Sequence, residues 1–178
     1  MNIFVLDSSP IKSAQYMCDK HIPKMAVETV QMLVSALRRH NASDNDVPLT
    51  LAGTPHKGGY RNHPATVWAG ESSSNFEWLL EHGFALCDEF KFRFGKQHSC
   101  EDQLNHIQRN FYRIPKGPMT DVALCVGVEI QGTVGATHAP IETAVDVYRQ
   151  FYIVDKMRFA KWERGRECPY WWPALVLA

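Results

Sequence analysis

Cys18-Asp19-Lys20-His21-Ile22-Pro23-Lys24-Met25-Ala26-Val27-Glu28 opens the segment whose reading decides the fold. Successive residues of an α-helix turn by about 100°, so His21, Lys24 and Glu28 fall within about 60° of one another. Ala26, Val30, Leu33, Val34 and Leu37 take the opposite face. A base that titrates near neutrality, an amine and a carboxylate then share one row. That combination suits acid–base or imine-forming chemistry. A polar stripe opposite an apolar one is equally what an amphipathic surface helix shows.

Working outward, this helix is expected from about Lys20 to His40. Pro23 lies in its first turn, where a missing N–H is tolerated. Arg38, Arg39 and His40 suit the negative end of the helix dipole, and Asp19 is expected to cap the start. Upstream, Ile3–Leu6 is an apolar run that reads as a buried extended segment. Ser8 or Ser9 can cap a short helix over Pro10–Met17, with Pro10 at the favoured first position. Downstream, residues 41–63 read as a long loop, of the length that is usually functional. A helix from Pro64 to about Phe94 follows, which Gly70 and Gly83 can break or bend and Gly95 can end. Ser72-Ser73-Ser74 reads as a solvated stretch of that helix. Further helices are expected over Glu101–Phe111 and Ala139–Glu163, with an apolar run at Val122–Val128 between them. Tyr148 and Tyr152 fit a core face. Pro169-Tyr170-Trp171-Trp172-Pro173 suits a packing clasp. The expected fold is mainly α: a single compact helical domain over 1–178, with short extended segments near residues 3–6 and 122–128.

Composition narrows the function classes. The chain has 178 residues, 45% of them hydrophobic, enough for one sizeable core. Lys plus Arg and Asp plus Glu both total 19, which speaks against attachment to DNA through bulk charge alone. The distribution is uneven. Residues 71–89 hold Glu71, Glu77, Glu81, Asp88 and Glu89 with no Lys or Arg, whereas 90–116 hold Lys91, Arg93, Lys96, Arg109, Arg113 and Lys116 against Glu101 and Asp102. The cysteines number five, an odd count without a CxxC pair, so reduced thiols are expected rather than a disulfide framework or a cysteine zinc site. No metal or cofactor is implied. No basic leader or membrane-length apolar run is seen, so a cytoplasmic protein without membrane partners is expected.

Two groups of residues are candidates for chemistry, and a third, Tyr148-Arg149-Gln150-Phe151-Tyr152 with Lys156, Arg158, Lys161 and Trp162, interleaves aromatics with cations, as a nucleic-acid surface does and as a core helix with snorkelling cations does equally. In the first, Lys24 becomes nucleophilic if burial lowers its pKa, while Glu28 accepts a proton or stabilises a developing cation and His21 assists. The second is His56-Lys57-Gly58-Gly59-Tyr60-Arg61-Asn62-His63-Pro64-Ala65-Thr66-Val67-Trp68. Here glycines admit close approach, Lys57, Arg61 and the amides at the start of the Pro64 helix can hold phosphate, and Tyr60 and Trp68 offer faces for base stacking. In the plainer reading this is a surface loop in which His63 caps the helix. There is no G-x-S-x-G serine motif.

The pattern Asp19-Lys20-His21-x6-Glu28 resembles the active-site helix of the phage pyrimidine-dimer DNA glycosylases of the endonuclease V type. His63-Pro64-x3-Trp68 and Phe92-Arg93-Phe94-Gly95 are similar to that family's second helix and its Arg-Gly-Tyr or Arg-Gly-Phe end. The chain also resembles viral proteins that share its opening and its Asp-Lys-His-x2-Lys-Met motif. The resemblance implies a small, mostly helical enzyme that excises a damaged base and cuts the abasic strand through an imine, with Glu28 at the place of the catalytic glutamate. The family's nucleophile is an α-amino group exposed when the initiator Met is removed from before a small residue. Asn2 stands there in this chain, so Met1 is expected to stay and Lys24 to supply the amine. Val27 and Gln31 stand where the family carries arginines. The expectation is a DNA-base-processing enzyme that acts on a flipped-out nucleotide, with DNA or a nucleotide as partner, His21 and His63 orienting, and His56, Lys57, Tyr60, Arg61, Asn62 and Trp68 in substrate binding. A transferase that modifies a base or nucleotide in viral DNA metabolism, and a non-catalytic phage protein that binds a nucleotide or host factor, remain open alternatives.

Overall fold

A computed structural model describes residues 2–173, apart from the side chains of residues 128, 131 and 133. Ser9 and Pro10 start helix α1 (Pro10–Tyr16), with the Ser9 hydroxyl accepting from the Lys12 amide. Helix α2 (His21–Arg39) follows. Its expected apolar face is buried, but so are Ile22, Met25, Thr29, Met32, Ser35 and Ala36. A helix buried nearly all round is a core element. The surface-helix reading is thereby corrected: α2 is the central helix, packed by α3 (Pro64–Ala69), α4 (Ser73–Phe94) and α5 (Cys100–Arg109).

The helix expected over 64–94 is two helices. Gly70 ends α3, and a Cβ on it would press on the Ala36 Cβ at 3.3 Å. Ser72 then caps α4 by accepting from the Asn75 amide at 3.2 Å. Ser72 is therefore a buried cap rather than part of a solvated helix, and the Ser73 and Ser74 hydroxyls donate to the Gly117 carbonyl. Gly83 does not break α4. A Cβ there would meet Thr29 at 2.9 Å and Leu104 at 3.0 Å, so its small size lets α2, α4 and α5 close on one another.

Asp19 does not cap α2, whose start carries no side-chain cap. The carboxylate turns instead to Arg93 Nη1 at 3.0 Å and accepts from the Glu163 amide at 2.7 Å. Arg93 is the reason. Its guanidinium is fully buried near the C-terminal end of α4 and also reaches Glu89, Met17 O and Gln15 O. A buried cation requires such partners.

Ile3–Leu6 is extended and buried as expected, and Ser13 holds it by donating to Phe4 O at 3.1 Å and accepting from the Leu6 amide at 3.0 Å. Of the 122–128 run, only β1 (Val122–Ala123) is strand. It pairs antiparallel with β2 (His138–Ala139), Val122 opposite Ala139, and α6 (Val128–Val134) lies between them. Helix α7 (Ile141–Lys156) ends seven residues before the expected Glu163. Tyr148 and Tyr152 are fully buried on it. The chain beyond α7 folds back as an irregular strap. Trp162 Nε1 donates to Tyr16 O, and the Trp171 and Trp172 rings stand edge-on to Tyr152 at 6.4 and 6.2 Å. No helix among the described residues is long and apolar enough to cross a membrane.

Candidate active site

Helical i,i+4 spacing brings the Lys24 and Glu28 side chains together. Lys24 Nζ lies 3.4 Å from Glu28 Oε1. The other carboxylate oxygen accepts from the Asn2 backbone amide at 3.1 Å. Glu28 is 12% exposed at its side chain and Lys24 64%. The burial on which a lowered Lys24 pKa depends is therefore slight: the side chain reaches into solvent past a buried carboxylate.

Asn2 connects this pair to a distant part of the chain, because its side-chain amide donates to Cys125 O. The result is a cleft of about 330 Å³ lined by Lys24, Glu28, Phe4, Phe151 and Lys156 together with Asn2 and Cys125–Gly127. Small-molecule sites span about 300–1,000 Å³, so this one is at the compact end. One part of the wall is aromatic. Phe4 and Phe151 lie nearly parallel with centroids 6.1 Å apart. Lys156 Nζ sits 5.2 Å from the Phe4 centroid and 5.3 Å from that of Phe151, and it pairs with Asp155. A cation over aromatic faces is held by the ring quadrupoles.

His21 keeps its place in the helical row of Lys24 and Glu28 but does not line the cleft. It is 4% exposed and stacks behind Phe4 at 5.1 Å, with Nδ1 hydrogen-bonded to the Tyr152 hydroxyl at 2.8 Å. Burial, followed by the positive charges of Lys156, Lys24 and Lys20, pulls its pKa down to about 3. It is a neutral core imidazole, not a base poised near neutrality. The apolar packing of Phe4 and Phe159 encloses its ring.

The glycine-rich loop runs beside the next turns of α2. The Gly59 amide donates to Gln31 O at 3.2 Å and Ser35 Oγ at 2.9 Å. Gly58 adopts φ +77, and a Cβ there would collide with Ser35. Lys57, Tyr60, Arg61 and Asn62 are exposed. His56 is half-buried, its Nδ1 accepting from the Gly58 amide, and burial lowers its pKa. His63 caps α3 by accepting from the Ala65 amide at 3.3 Å. Burial lowers its pKa also, while the Glu28 carboxylate pulls it upward, so the two groups are electrostatically coupled. Two expectations are corrected here. The first amides of α3 already donate to His63, through Nδ1 and the carbonyl, and do not form an open phosphate cradle. Trp68 is fully buried with Nε1 directed at Thr120 O, so it offers no face to a base.

Asn2, Phe4 and Cys125 complete the cleft without standing out in the sequence as site residues, whereas Phe151 and Lys156 belong to the aromatic and cationic stretch of the last long helix. Asn2 leading an apolar run was the one local signal among the first three. The others meet through contacts that span most of the chain.

A buried carboxylate beside an amine at the rim of a cleft, on a mainly helical scaffold, is chemically able to transfer a proton or form an imine. A sequence profile described as pyrimidine dimer DNA glycosylase matches residues 1–102, and the chain belongs to that family. The matched stretch contains Lys24, Glu28 and the glycine-rich loop, while Cys125–Gly127, Phe151 and Lys156 lie beyond it. No curated protein and no solved structure matches the chain.

Proposed function

We propose that this protein is a DNA glycosylase with abasic-lyase activity, acting on a nucleotide extruded from duplex DNA. Family membership makes a DNA glycosylase-type activity the natural reading. The observation that carries the chemistry is the Lys24–Glu28 pair in the cleft.

Glu28 Oε1 takes a proton from the Lys24 ammonium, freeing the amine lone pair. Nζ attacks C1′ of the sugar, the C1′–N bond to the base breaks, and the base leaves with the electron pair. The departing base takes a proton from Nζ, Glu28 gives its proton to O4′ as the sugar ring opens to a protonated imine between Nζ and C1′, and the Glu28 carboxylate then takes the C2′ proton as the 3′ phosphate is expelled. Glu28 also stabilises the cation that develops on the sugar. Lys156 with the exposed Lys57 and Arg61 supplies positive charge for the backbone. His21 acts at one remove by supporting Phe4, and His63 orients the loop.

Borohydride reduction in the presence of abasic duplex DNA tests this reading. The expected result is a covalent protein–DNA adduct, mapped by peptide mass spectrometry to Lys24, together with glycosidic cleavage in dimer-containing DNA, read as base release after photoreversal of the dimer. An adduct on the N-terminal peptide moves the nucleophile and leaves the activity standing. No adduct and no base release from damaged or modified duplexes overturns the proposal.

A further inference from the structure

Tyr60 is 65% exposed, and its backbone lies at φ +53, a conformation that non-glycine residues rarely adopt. Such strain persists only where the surroundings over-determine it. They do so here from both sides. On one side Gly58 is pressed against Ser35, and Gly59 is bonded to Gln31 and Ser35. On the other, the His63 amide donates to Tyr60 O at 2.9 Å, closing a turn that leads directly into α3. The arrangement fixes the backbone and leaves the ring in solvent. Gln31 is one helical turn beyond Glu28, and His63 feels the Glu28 carboxylate, so the loop that carries Tyr60 runs beside the turn of α2 that follows Glu28. Lys57 and Arg61 flank it, both exposed. An exposed aromatic on a fixed backbone, in a segment that also exposes Lys57 and Arg61, fits a DNA duplex: the cations meet phosphates while the ring enters the stack.

We infer that Tyr60 is a wedge that enters the base stack at the step vacated by the extruded nucleotide and so favours the opened duplex. The inference deepens the function proposed above and rests on it. The wedge restores stacking lost when the nucleotide leaves, which lowers the cost of extrusion without touching the reacting atoms. Tyr60 is thus a positioning residue, and its contribution vanishes on substrates that need no opening.

The test compares Tyr60→Ala and Tyr60→Phe with the native chain on a dimer-containing duplex and on a single-stranded abasic oligonucleotide. Duplexes carrying 2-aminopurine next to the target report unstacking on mixing. Tyr60→Ala is expected to slow base release from the duplex at least about tenfold more than it slows cleavage of the single strand, and to abolish the fluorescence rise. Tyr60→Phe is expected to restore both. Equal losses on the two substrates, no loss on the duplex, or a fluorescence rise that survives in Tyr60→Ala overturns the wedge. If the native chain releases no base from any duplex, the proposed activity falls. The fluorescence comparison then judges the wedge alone: a rise in the native chain that Tyr60→Ala lacks supports it, and no rise in the native chain overturns it.

Discussion

The Asn2 backbone amide and Glu28, 26 positions apart, are joined by a hydrogen bond of 3.1 Å to one carboxylate oxygen, and Lys24 Nζ lies 3.4 Å from the other. The division of labour is specific. One oxygen is occupied by the scaffold, which fixes the carboxylate, and the other faces the amine at the cleft. Glu28→Gln keeps an acceptor for Asn2 but removes the proton acceptor for Lys24. Base release and borohydride trapping are expected to fall by about 10²–10⁴-fold with little change in thermal midpoint. A variant that keeps more than a tenth of native activity defeats this role.

Buried neutral histidines make the fold acid-sensitive. His21 is held down to about 3 and His82 to about 4, both mainly by burial. The unfolded chain titrates these groups near 6.5, so between 6.5 and these lower values it binds more protons than the folded chain. Their contribution is therefore complete above pH 6.5 and declines as pH falls toward 3. Burial lowers His56, His63 and His98 in the same direction. The urea midpoint is expected to be level from pH 8 to 7 and to drop steadily below 6.5, with a flatter descent in His82→Gln. A midpoint unchanged from pH 8 to 5 contradicts the assignment.

Arg93 ties the start of α2 to the end of α4, since its fully buried guanidinium meets Asp19, Glu89 and two carbonyls. Arg93→Ala leaves Asp19 without that cation and is expected to cost about 3–5 kcal/mol in urea unfolding. Glu89 retains Arg166, so the loss should remain below that of the whole network. A cost under about 1 kcal/mol would show that the network adds little.

Lys156 is on the far wall of the cleft from Lys24. Lys156→Ala is expected to weaken binding of an abasic duplex several-fold and to reduce the slope of log affinity against log salt by about one unit. Fluorescence anisotropy over a salt series measures both. An unchanged slope means that Lys156 meets no phosphate.

The sequence discloses what neighbouring residues decide. Ser9 with Pro10 marks α1, the Gly70 break separates α3 from α4, and the i,i+4 spacing pairs Lys24 with Glu28. It conceals what distant residues decide. Asp19 looks like a cap until Arg93, 74 positions away, claims its carboxylate. Trp68 looks available for stacking, but α3 is packed between α2 and β1, which seals the ring. His21 shares the helical row of Lys24, yet Phe4 and Tyr152 draw it inward. The far side of the cleft depends on the bond from Asn2 to Cys125, 123 positions apart, and no local pattern encodes it.

That same bond sets a timetable for the ribosome. A nascent chain that has emerged only as far as Phe94 already carries the Lys24–Glu28 pair, but Cys125, Phe151 and Lys156 have yet to be made. The pair then lacks the wall that these residues form. That wall arrives only when α7 docks, so an interrupted translation product would carry the pair without the cleft around it.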